Sequence, residues 1–148
     1  MNGDLYLEDL YVGQRFAAGP VSVSAAEIKS FAATFDPQPF HLDEAAAETT
    51  VFHGLAASGW HTAALTMRML TNGGLPVATG VIGVGGEIAW PRPVRPGDEL
   101  RVESEVLAIT PSRSKPHQAV VTVRSTTTNQ NGDAVQVLTA KLVAFMRR

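Results

Sequence analysis

The chain has 148 residues, 45% hydrophobic and 18% charged, with a formal net charge of −2 and no cysteine. Such a chain is long and apolar enough for one globular domain, here spanning residues 1–148, and too apolar to be disordered. The slight acidic balance leaves no electrostatic footprint for nucleic acid, and the missing cysteines exclude disulfides, thiol nucleophiles and zinc–cysteine sites.

The opening "MNGDLYLEDL" lacks the basic start and apolar centre of a secretory leader. Together with the absence of cysteine, this sets the expectation of a cytoplasmic protein. In "PVSVSAAEIKSFAATF", Ser24 and Glu27 have the spacing of a capping box, with Val23 and Ile28 placed as its hydrophobic staple. Ile28, Phe31, Ala32 and Phe35 then share one helical face. Pro37 disfavours helical geometry at Asp36, so the helix ends there and Asp36 stands at its exit.

"FDPQPFHLDEAAAE", residues 35–48, presents an aspartate and a histidine in a segment stiffened by two prolines. Each proline fixes its own φ and biases its predecessor towards extended geometry. Full extension would separate Asp36 and His41 by about 16 Å, so they cooperate only if the loop bends. A carboxylate and an imidazole brought together can hold and activate a water molecule. The plainer reading is that Asp36 caps backbone amides and His41 is an ordinary loop histidine.

"HGLAASGWHTAALTMRML", residues 53–70, is marginally long enough to cross a bilayer, but it carries His53, His61 and Arg68. It reads as a buried helix over about residues 53–71, apolar around most of its circumference, and no membrane role is expected. Asn72-Gly73-Gly74 supplies a left-handed stop. Gly54 would open this helix, where unpaired amides and the dipole favour a developing negative charge, as in an oxyanion hole; alternatively it is a packing glycine. Ser58 and Thr62 share a face. A hydroxyl there either orients the acid–base pair or bonds back to its own helix. "LAASGWH" is not the G-x-S-x-G of a nucleophile elbow. His53 and His61, about 12 Å apart along a helix, are too distant to share one metal ion, and His117 lies far along the chain.

The period then changes to two. "GVIGVGGE" is glycine-rich but no helix follows it, which argues against a phosphate loop. Gly83, Gly85 and Gly86 instead let a strand approach a helix or an extended ligand. "RPGD", residues 95–98, is a tight turn beside Arg92 and Arg95, which are candidates for a ligand phosphate or are merely solvated. "ELRVESEVLAI" places Leu100, Val102, Val106 and Ala108 opposite Arg101, Glu103 and Glu105. "HQAVVTVRSTTT" and "AVQVLTAKLVAFM" are strands joined through the hairpin loop "NQNGD". The pattern is an α+β domain, an antiparallel sheet curled around one long helix.

"FDPQPFHLD", "FHGLAASGWHT" and "WPRPVRPGDEL" together resemble the MaoC-like dehydratases, hot-dog-fold relatives of (R)-specific enoyl-CoA hydratases. The likeness runs from about residue 5 to residue 146. It implies reversible syn hydration of a trans-2-enoyl-CoA to a 3-hydroxyacyl-CoA, in fatty acid metabolism. By the resemblance, Asp36 and His41 activate the water and the Gly54 amide serves the thioester carbonyl. Thr62, with Ser58 as neighbour, falls where such enzymes keep a small hydroxyl residue. Gln38, His53, Ser58, Thr62, Gly83 and Gly85 are the candidates for substrate contact. The implied partners are an acyl-CoA or acyl-carrier thioester and further copies of the chain, as a homodimer or larger. No nucleic acid, membrane, metal or redox cofactor is expected, coenzyme A entering only as the substrate's carrier. Two departures stand out: Gln38 replaces the usual Asn, and "AAAETTVFHG" is shorter than the usual connection. The rival functions are a hot-dog thioesterase and a non-catalytic acyl-binding subunit.

Overall fold

The computed structural model describes residues 4–148. Strand β1 (Arg15–Ser22) leads into helix α1 (Ala25–Phe35), which starts as the capping box requires. Glu27 N donates to Ser24 Oγ (3.1 Å), and Ser24 N donates to Glu27 Oε1 (2.9 Å). Ile28 and Ala32 are fully buried, but Phe35, expected on the same face, stands 70% exposed at the helix exit. Two short helices follow, α2 (Pro39–Leu42) and α3 (Glu44–Glu48). Pro39 occupies the first turn of α2, where its missing N–H is not needed. Asp43 caps α3, its Oδ1 accepting from Ala45 N at 2.8 Å.

The long helix α4 spans Gly59–Met69, not residues 53–71. Residues 53–58 are non-helical because their backbone is bound elsewhere. His53 and Gly54 take positive φ values of 53° and 147°, and Gly54 N donates to Ala47 O (3.2 Å). Ser58 caps the true helix start, its Oγ accepting from Trp60 N (3.2 Å). His61, Thr62, Leu65, Thr66 and Met69 form the buried face. Trp60, Ala64, Met67 and Arg68 are exposed on the other side, so α4 is not buried all round as its composition suggests. A π-helical turn, Leu70–Gly74, extends it until Gly73 turns left-handed.

The remaining strands are β2 (Gly83–Ala89), β3 (Glu99–Pro111), β4 (Gln118–Thr128) and β5 (Ala134–Phe145). They form one antiparallel sheet in the order β1-β3-β4-β5-β2. A core of Ile28, Leu65, Met69, Leu100, Val102, Val121 and Val123 fills the space between sheet and α4, the hot-dog arrangement. The alternation in β3 holds through Leu100, Val102 and Val106, then breaks. A register shift between Val106 and Ala108 turns Ala108 out to solvent and Ile109 towards the core. Gly86 serves the sheet: a Cβ there would lie 2.5 Å from Thr139 O, so β5, not a helix, makes the close approach.

Candidate active site

The bend the proline segment needs is made by α2. One helical turn after Gln38 carries His41 back to Asp36, so that His41 Nε2 lies 3.4 Å from Asp36 Oδ2. Both are largely shielded, with side chains 6% and 17% exposed. His41 Nδ1 lies 2.6 Å from Ala56 O, which can only accept, so Nδ1 carries the proton. In the neutral ring Nε2 is therefore the bare nitrogen, and it faces the carboxylate.

Asp36 is held on three sides. Ser58 Oγ donates to Oδ2 (2.7 Å), Gln38 Nε2 donates to Oδ1, and His41 faces Oδ2. Burial pushes the Asp36 carboxyl up, but the hydrogen bonds from Ser58 and Gln38, with the charge of the His41 ring when both its nitrogens carry protons, outweigh it. The net result lies below the ordinary value. Ser58 thus caps α4 and binds the carboxylate with the same oxygen. Thr62 takes the other role open to a helical hydroxyl, its Oγ1 reaching 3.5 Å to Ser58 O.

A cleft of about 620 Å³ opens over this group, with Asp36, His41 and Thr62 on its wall. His53 also lines it and is exposed. Trp90 also lines it, and its indole N–H donates to the fully buried Gln136 Oε1 (3.0 Å). Gln136 Nε2 donates in turn to Thr66 Oγ1 (3.2 Å), which pairs with Thr127 Oγ1 (2.7 Å). This buried polar chain fixes a side chain at the cleft from inside the core. Trp90 packs edge-on to Trp60, and a Cβ on Gly59 would lie 2.6 Å from the Trp90 ring. Glycine at the first position of α4 is what lets the indole lie there.

Several sequence candidates fall elsewhere. Gly54 does not open the helix, and its amide already serves Ala47 O. Gly83 and Gly85 lie in β2 at the sheet edge and do not line the cleft. Arg95 lines the cleft and is half-buried, but its guanidinium is already engaged, donating to the carbonyls of Phe52, Gly54 and Leu55. Arg92 lines the cleft and is exposed. His61 stacks on Phe31 with ring centroids 4.6 Å apart, and its buried Nδ1 has no hydrogen-bond partner among the described residues. His117 lies exposed in the β3–β4 loop. Among the described residues, no helix is long and apolar enough to cross a membrane. The Ala56 carbonyl and the Gln136 chain carry no signal in the sequence. The first is backbone, and the second joins residues 46 to 70 positions apart.

One antiparallel five-stranded sheet packed against a single long helix is the hot-dog fold. The chain belongs to the MaoC like domain family, whose model matches residues 10–129. It is 62% identical to the MaoC-like dehydratase from Rhodospirillum rubrum, whose crystal structure superposes with a TM-score of 0.96 over 97% of this chain and 99% of that one. It is 33% identical over 129 residues to the (R)-specific enoyl-CoA hydratase of Rhodospirillum rubrum, covering 83% of this chain and 81% of the relative. It is 32% identical over 143 residues to the uncharacterized protein YdeM of Bacillus subtilis, covering 96% of this chain and 99% of the relative.

Proposed function

We propose that this protein is a lyase that adds water reversibly to a trans-2-enoyl thioester, giving the 3-hydroxyacyl thioester. The observation that carries the reading is the 2.6 Å contact between His41 Nδ1 and the Ala56 carbonyl, from which the tautomer of the neutral ring follows. With Nδ1–H given to Ala56 O, bare Nε2 and ionised Asp36 Oδ2 present two acceptors 3.4 Å apart. Two converging acceptors call for a donor with two hydrogens, and water is the smallest. Gripped by both hydrogens, it offers its oxygen lone pair to C3 of the substrate.

The step balances without any oxidant. As the C3–O bond forms, one proton passes from water to the pair, the C2=C3 π electrons move into the thioester as an enolate, and the pair returns a proton to C2. One pair serving both carbons from one side gives syn addition. The depressed pKa of Asp36 keeps it anionic at neutral pH, suited to orienting the water. The amino end of α4, whose dipole favours negative charge, faces this group through Ser58. Gly54 can assist only by sharing an amide already given to Ala47 O.

The carrier is coenzyme A or an acyl carrier protein, and the relative named as an enoyl-CoA hydratase favours the former. Assembly as a homodimer fits the exposed apolar residues Trp60, Met67, Ile82 and Val84; sedimentation equilibrium tests it directly. For the reaction, crotonyl-CoA should lose its enoyl absorbance without release of free thiol. Asp36→Asn and His41→Ala should each slow this by at least about 10². Thiol release would instead mark a thioesterase. Full activity in both variants would remove the pair from the mechanism.

A further inference from the structure

The segment before β3 holds a cation whose partners are all backbone carbonyls. Arg95 Nη1 donates to Gly54 O (3.0 Å) and Leu55 O (3.2 Å), and its Nη2 donates to Phe52 O. The nearby Asp98 carboxylate is committed elsewhere, accepting from Arg95 N (2.8 Å) and Gln130 Nε2 (2.9 Å). Among the described residues Arg95 forms no ion pair. Three carbonyl oxygens turned towards one point repel each other unless a multiple donor lies between them, and a guanidinium is the side chain that supplies several fixed N–H groups at once.

That loop is not a relaxed one. His53, with a φ of 53°, sits in a region that non-glycine residues seldom adopt. Such a conformation persists only where the surroundings over-determine it. The next carbonyl in the loop, Ala56 O, is the acceptor for His41 Nδ1–H. The Ala56 amide is fixed by Phe40 O (3.1 Å), and the Ala57 amide by Val94 O (2.9 Å), the residue before Arg95. One short stretch, Val94–Arg95, therefore holds both sides of the carbonyl that selects the histidine's tautomer.

We propose that Arg95 is a positioning residue which, by clamping the carbonyls of Phe52, Gly54 and Leu55, fixes the Ala56 carbonyl and so keeps His41 protonated on Nδ1. Its catalytic consequence rests on the hydratase reading, but its structural consequence does not. Without the clamp only the backbone bonds to Phe40 O and Val94 O restrain this peptide, the Ala56 carbonyl swings away for part of the time, and His41 exchanges between tautomers. Part of the population then offers an N–H to Asp36 where bare Nε2 is needed to hold water.

The test is two-bond ¹H–¹⁵N correlation of the histidine rings in uniformly labelled, ligand-free protein at mildly alkaline pH, with Arg95→Met and Arg95→Lys. Wild type should show His41 protonated on Nδ1 alone, Arg95→Met a mixture of tautomers, and Arg95→Lys an intermediate pattern. With crotonyl-CoA, Arg95→Met should lose at least about tenfold in kcat with KM changed by less than about threefold. A merely structural arginine would lower the unfolding temperature and leave the ring pattern alone. A folded Arg95→Met that keeps the wild-type pattern overturns the proposal, whatever its turnover. If Arg95→Met does not fold, the wild-type pattern in Arg95→Lys overturns it equally. A shifted tautomer in a protein that hydrates no enoyl thioester would uphold the clamp and discard the hydratase reading.

Discussion

Ser58→Ala removes one oxygen that makes two bonds. Ser58 Oγ accepts from Trp60 N at 3.2 Å as the cap of α4, and donates to Asp36 Oδ2 at 2.7 Å. Loss of an N-cap costs about 1 kcal/mol. Loss of a hydrogen bond to a charged group costs about 1.5–3 kcal/mol, nearer the lower end because the Asp36 side chain keeps some solvent contact. The total is about 2.5–3 kcal/mol, which lowers the unfolding midpoint by about 5–12 °C in a chain of this size. Ser58→Gly separates the two bonds, because glycine caps a helix within a few tenths of a kcal/mol of serine but cannot bind the carboxylate. Glycine should therefore recover about 1 kcal/mol of the alanine loss. Both variants lose the contact that lowers the Asp36 pKa, so the acid limb of kcat/KM should move to higher pH equally in both. A tenfold loss of kcat/KM corresponds to about 1.4 kcal/mol, the scale expected for both. The measurements are urea unfolding and the pH–rate profile of crotonyl-CoA hydration. An unmoved acid limb in both variants would refute the reasoning about Ser58 and Asp36.

His61 has its pKa lowered by burial, partly opposed by Glu27. Its unfolded form binds the proton more readily, so the stability it contributes is present above the ordinary value of 6.5 and is lost as pH falls through the folded value. His61→Phe, which keeps the stack on Phe31, should flatten unfolding free energy against pH in that acidic window. Gly59→Ala places a Cβ 2.6 Å from the Trp90 ring. It should cost about 1–3 kcal/mol as an overpacked site and change the tryptophan fluorescence, whose sources are Trp60 and Trp90. Gln136→Leu leaves the Trp90 N–H without its partner and should cost about 1–3 kcal/mol in urea unfolding. The same variant should make the Trp90 emission more heterogeneous.

Local physics was legible along the chain wherever one stretch of backbone decides the outcome. The capping box of Ser24 and Glu27, the helix end at Pro37, the left-handed stop at Gly73 and the hairpin at Asn129–Asp133 each follow from neighbouring residues. The period of two marked β3 to β5, but the bulge after Val106 depended on pairing with β4 and was invisible in the strand alone. The start of α4 was misplaced for the same kind of reason. Residues 53–58 have the composition of a helix, yet Arg95, some 40 positions away, takes the carbonyls a helix would have used.

At the candidate site, amino-acid type and spacing offered Asp36 and His41 beside a plainer reading, the family resemblance favoured the pair, and chain length showed that only a bend could join them. Proline stiffness, carboxylate and imidazole chemistry and turn propensity are short-range properties, which a sequence carries in full. Whether the bend closes, which histidine nitrogen is bare, and which indole walls the cleft were settled by contacts between residues 15 to 46 positions apart. Those contacts follow from how the sheet and α4 pack, so they exist only once the chain is folded.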